Sequence, residues 1–411
     1  MSVYREVLDV KTKGSETDRK MGLIKPAYQI ISPEETGNFQ EQWNNCLNQL
    51  IRQVNQNNRK LIRVNIFVKS KDQANYIDQH DHIHSTFTKA FGLACPPFGV
   101  VMQEPEDPWK VLCEVGFIED SEVKVNYGFF ENRPYCVVDK VNYQEYWTIG
   151  AQSVHPDLNI LASSEAAFYY LKRLYDHLGI SFNNIVRQWN YVGEILSTEK
   201  DDEQRTRQHY QMFNETRSKF YGINRSLNHY PAATGIGMKY LGVCIDSFAV
   251  TGDDSLKVVP ISNPVQNESY KYGQSVLVGN PDKKMRQNQP PQFERAKLIS
   301  LNGISRILVS GTASIIGQET IGIDNIEEQT RVTIENIKKL THPNNIHKHY
   351  PEISEVPEQF SYVRVYVKHK EDIEKVRNIC REAYGDTPAT YVVADICRDN
   401  LLVEIEAELI N

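Results

Sequence analysis

The 411-residue sequence has no apolar run of the roughly 18 residues that a membrane-spanning helix needs, so we expect no membrane association. It has no segment rich in Lys and Arg, and its net charge is −7, which gives no indication of a nucleic-acid partner. The seven cysteines are scattered without a CxxC pair, a pattern typical of reduced thiols. The polar N-terminal stretch MSVYREVLDVKTKGSETDRK lacks the apolar core of a signal peptide. These absences predict a cytoplasmic globular protein.

Common catalytic signatures are also missing. The chain has no HExxH, GxSxG or Walker A sequence, and GIG at 235–237 is too short for a dinucleotide-binding fingerprint. His80 and His84 are spaced i, i+4, which would suit a metal on a helix face, but no carboxylate motif completes a site. An exposed polar helix face is the favoured interpretation of these histidines. We therefore expect neither a metal nor a cofactor.

One unit of sequence organisation occurs three times. In each copy an alternating strand is followed by a long amphipathic helix, a proline near the start of a further strand, and a last strand. The alternating strands are LIRVNIFVKS (61–70), NIVRQWNYVGEI (184–195) and YVRVYVKHK (362–370). An earlier helix with apolar residues at i, i+3, i+4 and i+7 precedes each of them. The pattern predicts three related units within one chain.

Each unit is expected to be an α+β layer of a mixed sheet covered by two helices. The predicted boundaries are an N-terminal unit at 1–120, a second unit at 121–255 and a C-terminal unit at 297–411. The stretch 256–296, rich in Asp, Asn, Gln and Pro, is predicted to be a linker. Three such units would pack as an intrachain pseudo-trimer, so we expect a monomer or a weak oligomer.

The C-terminal copy ends in TPATYVVADICRDNLLVEIEAELI. This segment resembles the Rid/YjgF family of small trimeric imine deaminases, which have a chorismate-mutase-like fold. In that family an Arg after the Pro-Ala pair holds the substrate carboxylate, whereas this chain has Thr390 there and Ala233 in the second copy. The resemblance therefore implies the fold of each unit and argues against imine deaminase chemistry.

Four longer motifs, WNYVGEI, YQMFNETRSKFY, YPAATGIG and SGTASIIGQET, follow one another along the chain. In this order they resemble the chorismatases, enzymes that hydrolyse chorismate. The resemblance spans roughly 124–410. It implies a chorismate lyase or hydrolase that releases pyruvate with a dihydroxycyclohexadienoate or a hydroxybenzoate. The alternatives are a Rid-type enamine or imine deaminase and a non-catalytic protein that binds a small metabolite.

Glu319 is the candidate catalytic residue. It follows the apolar stretch TASIIG, where burial would raise the pKa of a carboxyl group enough to retain a proton for general acid catalysis. The alternative is that Glu319 marks the point where the strand emerges into solvent. The resemblance favours catalysis, because it places the family's catalytic glutamate in this motif.

Five residues are the candidates for substrate binding. Arg217 and Tyr210 lie on one face of a predicted helix, where a guanidinium among aromatic side chains suits a carboxylate, although such a face is more often core. Arg133 and Tyr127, on a predicted hairpin, are a second possible pair, with an exposed hairpin as the alternative. Tyr191 could donate its hydroxyl to the substrate, whereas Trp189 is interpreted as packing.

The identity of the second product is left open by the sequence. The resemblance implies that enzymes making 3-hydroxybenzoate carry a cysteine in the strand before the catalytic glutamate. This chain has Thr312 in the strand before Glu319 and no cysteine between 245 and 379. This favours simple hydrolysis over elimination.

Overall fold

The computed structural model describes residues 22–57, 59–153, 158–226 and 229–411, so the polar N-terminal stretch lies outside the described residues. The predicted α+β class is confirmed. Mixed sheets with helices packed on them are built from three consecutive segments of the chain.

The first repeat contains a four-stranded sheet in the order β1-β5-β2-β3. Its strands are β1 (Ala27–Ile31), β2 (Lys60–Val68), β3 (Phe98–Val101), β4 (Glu104–Pro105) and β5 (Val111–Ile118). Its helices are α1 (Phe39–Asn57) and α2 (Gln73–Phe91). The short β4 leaves this sheet and joins the sheet of the third repeat.

The second repeat adds two strands before the unit that the first repeat contains. Its strands are β6 (Lys124–Phe130), β7 (Arg133–Lys140), β8 (Tyr143–Ser153), β9 (Ile185–Gly193), β10 (Thr198–Lys200), β11 (Thr206–Gln208), β12 (Ala232–Met238) and β13 (Val243–Gly252). Its helices are α3 (Ile160–Leu178) and α4 (His209–Asn224). The sheet order is β6-β7-β8-β13-β9-β12, and β10 and β11 form a separate hairpin.

The third repeat has the same order, β14-β15-β16-β21-β19-β20. Its strands are β14 (Lys257–Ile261), β15 (Ala296–Leu301), β16 (Ile304–Ala313), β17 (Ile315–Ile316), β18 (Glu319–Thr320), β19 (Phe360–Val367), β20 (Ala389–Val393) and β21 (Val403–Ile410). Its helices are α5 (Ile326–Thr341), α6 (Pro343–His349) and α7 (Ile373–Tyr384).

The predicted linker over 256–296 is wrong in two respects. Residues Lys257–Ile261 form β14, which pairs with β15 and is an edge strand of the third sheet. The remainder is held against the two repeats by hydrogen bonds from its polar side chains. Gln292 Nε2 donates to Ser218 Oγ of the second repeat at 3.2 Å, and Asn263 Nδ2 donates to the Asn336 carbonyl of the third at 3.0 Å. The polar side chains of this segment therefore attach it to the surface of the second and third repeats.

The repeats meet around buried ion pairs. Arg364 of the third repeat donates to Glu114 of the first at 2.8 Å, and Arg187 of the second donates to Glu406 of the third at 2.9 Å. All four side chains are almost completely buried. Because a buried charge must be paired to be tolerated, these contacts fix how the repeats face one another.

No helix in the described part of the chain is long and apolar enough to cross a membrane.

Candidate active site

A cleft lies between the second and third repeats, where β12 packs beside β16. Its cavity volume is small, about 30 Å³. Its floor is made of small residues from the two strands, Ala233 and Gly235 on β12 and Gly311 and Ala313 on β16. The SGTASI and YPAATGIG motifs therefore line the cleft with small side chains.

Glu404 provides the carboxyl group of this cleft. It is 4% exposed, on β21, and burial, followed by the charge of Glu406, raises the pKa of its carboxyl group to about 8. Arg187 and Arg295 oppose this rise. Within the described residues no group hydrogen-bonds the Glu404 carboxyl, so its proton is available to a ligand. At neutral pH this is a protonated acid in a water-poor site.

Two guanidinium groups line the same cleft. Arg295 donates from Nη2 to Tyr272 Oη at 2.7 Å, and Arg398 donates from Nη1 to the Gln318 carbonyl at 2.7 Å. The Tyr272 ring lies between them, 5.5 Å from Arg295 Cζ and 5.0 Å from Arg398 Cζ. Neither arginine forms an ion pair with a carboxylate in the described part of the chain, and Arg398 Nη2 is buried without a partner. The cleft therefore presents two uncompensated positive charges.

A third guanidinium lies behind the wall of the cleft. Arg217 on α4 is 1% exposed, donates to Asn214 Oδ1 at 2.6 Å and interacts with the hydroxyl of Tyr210, which lines the cleft. Among the described residues its Nε has no hydrogen-bond partner, and no carboxylate pairs with it. The structure thus brings Tyr210 and Arg217 to the cleft, as the helical face indicated.

Cys397 also lines the cleft, in the segment before β21. Burial, followed by the neighbouring Glu404, raises the pKa of its thiol to about 12. The group is consequently a neutral thiol at physiological pH, which shapes the cleft and is a poor nucleophile.

The expectation that Glu319 is a buried acid is wrong. Glu319 is exposed, on the short β18 that pairs with β17. Strand β16 ends at Ala313, and the chain reverses at Gly317, whose φ of +62° permits the tight turn that projects Glu319 outward. The alternative interpretation, emergence of the strand into solvent, is the correct one. The motif contributes to the cleft through Gly311, Ala313 and the Gln318 carbonyl.

Three predicted binding residues lie elsewhere. Arg133 donates to the backbone carbonyls of Gly150 and Gln152 between the first and second repeats. Tyr127 donates to the Leu61 carbonyl at 2.9 Å.

Tyr191 is completely buried at the centre of the molecule, where its hydroxyl accepts from Arg364 Nη1 at 2.7 Å. Trp189 donates to Glu406 at 2.7 Å, in line with a packing role. The structure therefore does not bring Arg133, Tyr127 or Tyr191 to the cleft that contains Glu404.

Sequence reasoning missed Glu404, although a signal was present. The segment VEIEAEL alternates apolar residues with Glu404, Glu406 and Glu408, which share one face of β21. All three are buried. Carboxylates on a strand with an apolar opposite face indicate either ion pairs in the interior or a buried acid. Glu406 and Glu408 are ion-paired, and Glu404 is the buried acid.

The described residues contain no cluster of three or more His, Cys, Asp and Glu side chains arranged for a metal ion. His80 and His84 instead stack on each other, with ring centroids 6.3 Å apart.

Comparison with known proteins gives a consistent set of relatives. Residues 137–249 match the family model described as chorismatase FkbO/Hyg5-like, N-terminal. A 3-hydroxybenzoate synthase from Streptomyces hygroscopicus is 30% identical over 262 residues, which are 62% of this chain and 72% of that protein. A chorismatase from Streptomyces rapamycinicus is 31% identical over 258 residues, or 61% of this chain and 71% of the other.

The fold also has a counterpart among solved structures. A chorismatase crystal structure superposes with a TM-score of 0.64 at 19% identity, covering 94% of this chain and 98% of the other. At that identity the likeness concerns the fold.

Proposed function

Since the chain belongs to the chorismatase family, we propose that it removes the enolpyruvyl side chain of chorismate and releases pyruvate. The observation that carries this proposal is that one protonated carboxyl group, Glu404, lies in the same cleft as guanidinium groups that have no carboxylate partner among the described residues. The positive charge suits a dianionic substrate, and the acid suits an enol ether.

Charge complementarity supports a ligand with two carboxylates. Chorismate is a dianion, and leaving a buried guanidinium unpaired is costly. Arg295 and Arg398 are available to pair with its carboxylates in the bidentate geometry that arginine favours. Arg217 adds a third positive charge through Tyr210.

The chemistry begins with a proton. In this proposal Glu404 donates to the methylene carbon of the enolpyruvyl group, which places positive charge on the ether carbon. For hydrolysis a water oxygen attacks that carbon, and the bond between the ether carbon and the ring oxygen breaks as pyruvate forms. For elimination the attacking oxygen is the ring's own C4 hydroxyl. The bond from the ether carbon to the C3 oxygen breaks, and pyruvate then leaves with the C4 oxygen. The C3 hydrogen departs as a proton, so that the ring becomes aromatic. The Glu404 carboxylate, now charged, accepts a proton in return, so that the same residue is acid and then base.

We propose 3-hydroxybenzoate as the second product. The sequence-based preference for hydrolysis depended on Glu319, and it changes when Glu404 is the acid, because Cys397 then precedes the acid and lines the cleft. Elimination needs no net water, since pyruvate and hydroxybenzoate together contain all the atoms of chorismate. Hydrolysis to a dihydroxycyclohexadienoate consumes one water. Because a neutral thiol occupies the place where a water-binding group could stand, elimination to 3-hydroxybenzoate is favoured over hydrolysis.

The direct test is incubation of the protein with chorismate, with pyruvate and the ring product quantified together. Equimolar pyruvate and 3-hydroxybenzoate are expected. Equimolar pyruvate and dihydroxycyclohexadienoate would refute the product assignment alone. Absence of pyruvate would refute the enzyme assignment, and ammonia release from an amino acid imine would favour the deaminase alternative.

The arrangement of the chain belongs to the same proposal. We infer three Rid/YjgF-like units, 1–120, 121–255 and 256–411, in an intrachain pseudo-trimer. The shared strand order supports it. A monomer is expected, because the ion pairs between repeats are already formed within one chain. The seven free cysteines support a reducing, cytoplasmic compartment.

A further inference from the structure

The cleft that contains Glu404, called the active cleft from here on, has a counterpart at the equivalent position between the third and first repeats. Glu404 pairs with Tyr366 of β19, and Leu112 pairs with Phe67 of β2, at the same register of the equivalent strands. The spacing of the preceding residues is also the same. Cys397 and Pro105 therefore occupy equivalent positions in the two repeats, as do Arg398 and Glu106, and Glu404 and Leu112.

The opposite wall is equivalent too. Strand β1 occupies the place of β16, so that Ile30 corresponds to Gly311 and Ser32 to Ala313. Both members of each pair line their clefts.

The remaining counterpart, between the first and second repeats, is filled by side chains. Gln152 stands at the position of Ala313 and donates to Tyr76 Oη at 2.6 Å and to the Val100 carbonyl at 3.0 Å. Arg133 closes the same place by donating to the Gly150 carbonyl. Side chains have thus sealed one of the three equivalent positions.

The counterpart between the third and first repeats is open. Its cavity volume is about 440 Å³, against about 30 Å³ for the active cleft. Leu112 replaces the acid, and Glu106 replaces Arg398 and pairs with Arg377 of α7 at 3.0 Å. This cleft therefore lacks the group that donates a proton, while it retains the space for a ligand.

Three features of the open cleft indicate what it binds. Tyr384 lines it and is 7% exposed, and its buried hydroxyl has no hydrogen-bond partner among the described residues, which is costly unless a ligand accepts the bond. Arg381 and Asp386 are exposed at the cleft and form no ion pair with another described residue. Trp109 and Leu112 provide an apolar wall.

We propose that this cleft is a non-catalytic binding site for a small aromatic carboxylate. The ring packs against Trp109 and Leu112, the carboxylate pairs with Arg381, and a polar substituent or carboxylate oxygen accepts from Tyr384. Two sources share this chemistry, a hydroxybenzoate and an aromatic amino acid, and Asp386 distinguishes them because it would pair with an ammonium group. Binding requires no turnover, so a failure of this proposal is distinguishable from a failure of the proposed reaction.

Calorimetric titration of the full chain with 3-hydroxybenzoate and, separately, with phenylalanine tests the proposal. The internal repeat supplies a matched pair of blocking variants. Ser32→Trp fills the open cleft, and Ala313→Trp fills the equivalent place in the active cleft. Binding of either probe that survives Ala313→Trp and is lost in Ser32→Trp is expected. Binding with the opposite pattern, or of neither probe at millimolar concentration, would overturn the proposal.

A smaller substitution, Tyr384→Phe, tests the proposal even if the blocking variants do not fold. Tyr384→Phe removes only the hydroxyl, which bonds to no residue in the described part of the chain, so the melting temperature should not fall. Affinity for the bound probe should fall about tenfold, the value of one hydrogen bond. Unchanged affinity in Tyr384→Phe would contradict the assignment. If phenylalanine is the probe that binds, Asp386→Asn should weaken it as well, and no effect there would exclude the amino-acid source.

Discussion

The Glu404 carboxyl group lies directly over Gly311 of the neighbouring strand, so that a Cβ atom at position 311 would overlap Glu404 Oε1. The absence of a side chain on β16 thus sets the position of the proposed acid. The two residues belong to motifs that are far apart in sequence and meet only through the pairing of β16 with β21.

Gly311→Ala should therefore reduce catalysis without unfolding the protein. The added methyl group meets the flexible end of Glu404, which can move away at small cost but then no longer points at the substrate. We expect kcat/KM for chorismate to fall at least 100-fold, with a melting temperature within a few degrees of wild type. Gly222→Ala is the matched control, since a Cβ there meets nothing within 4 Å. Equal activity in the two variants would contradict this role of Gly311.

The pH dependence of activity follows from the raised pKa of Glu404. A general acid must hold its proton in the free enzyme, so kcat/KM should be constant below the pKa of about 8 and fall tenfold per pH unit above it. Lys297, whose pKa burial lowers to about 8, would lose its proton in the same range. The Lys297→Met variant separates the two residues, because it should retain the alkaline decline. A pH profile that is flat from 7 to 10 in the folded protein would contradict the assignment.

Substitution of an arginine in the cleft should impair substrate binding, whereas substitution of an ion-paired arginine in the interior should lower the free energy of unfolding. Arg295 has no carboxylate ion pair within the described ranges, so Arg295→Gln should raise KM at least tenfold and leave the free energy of unfolding unchanged or higher. Arg187 is paired with Glu406, and Arg187→Gln should destabilise the protein by about 3–5 kcal/mol. Denaturant unfolding and steady-state kinetics on both variants check this contrast. Destabilisation of Arg295→Gln by a similar amount would indicate a structural role.

Cys397 should control the product ratio. Replacement by alanine leaves room for a water beside Glu404, which favours hydrolysis. We expect Cys397→Ala to release pyruvate with an increased share of dihydroxycyclohexadienoate, measured by chromatography of the ring products. Cys46 is buried on α1 of the first repeat and does not line the cleft, so Cys46→Ala should leave the ratio unchanged. An unaltered ratio in Cys397→Ala would show that the thiol does not select the pathway.

Much of the fold was predictable because its signals are local. Alternating apolar residues in LIRVNIFVKS and YVRVYVKHK specify strands, and the same order recurs three times. The face of α4 that bears Tyr210 and Arg217 was also visible as a helical period.

The identity of the acid was not predictable in the same way. Glu319 follows an apolar stretch in the sequence but lies beyond a turn at Gly317. Glu404, in contrast, occupies a polar position in an alternating strand sequence, where a residue is usually exposed. Its burial results from the packing of the second repeat on the third, which is a long-range contact that no local pattern specifies. The same contact determines that Arg295 and Arg398, and not Arg133, lie beside the acid.

Pyruvate release from chorismate by Glu404→Gln and Glu319→Gln, measured side by side, tests the central claim most directly. Both substitutions keep size and remove one carboxyl group, and they differ only in whether the group lies in the cleft. The account predicts a loss of at least 100-fold in kcat for Glu404→Gln and nearly unchanged kcat for Glu319→Gln. The reverse result, or full activity in Glu404→Gln, would contradict it.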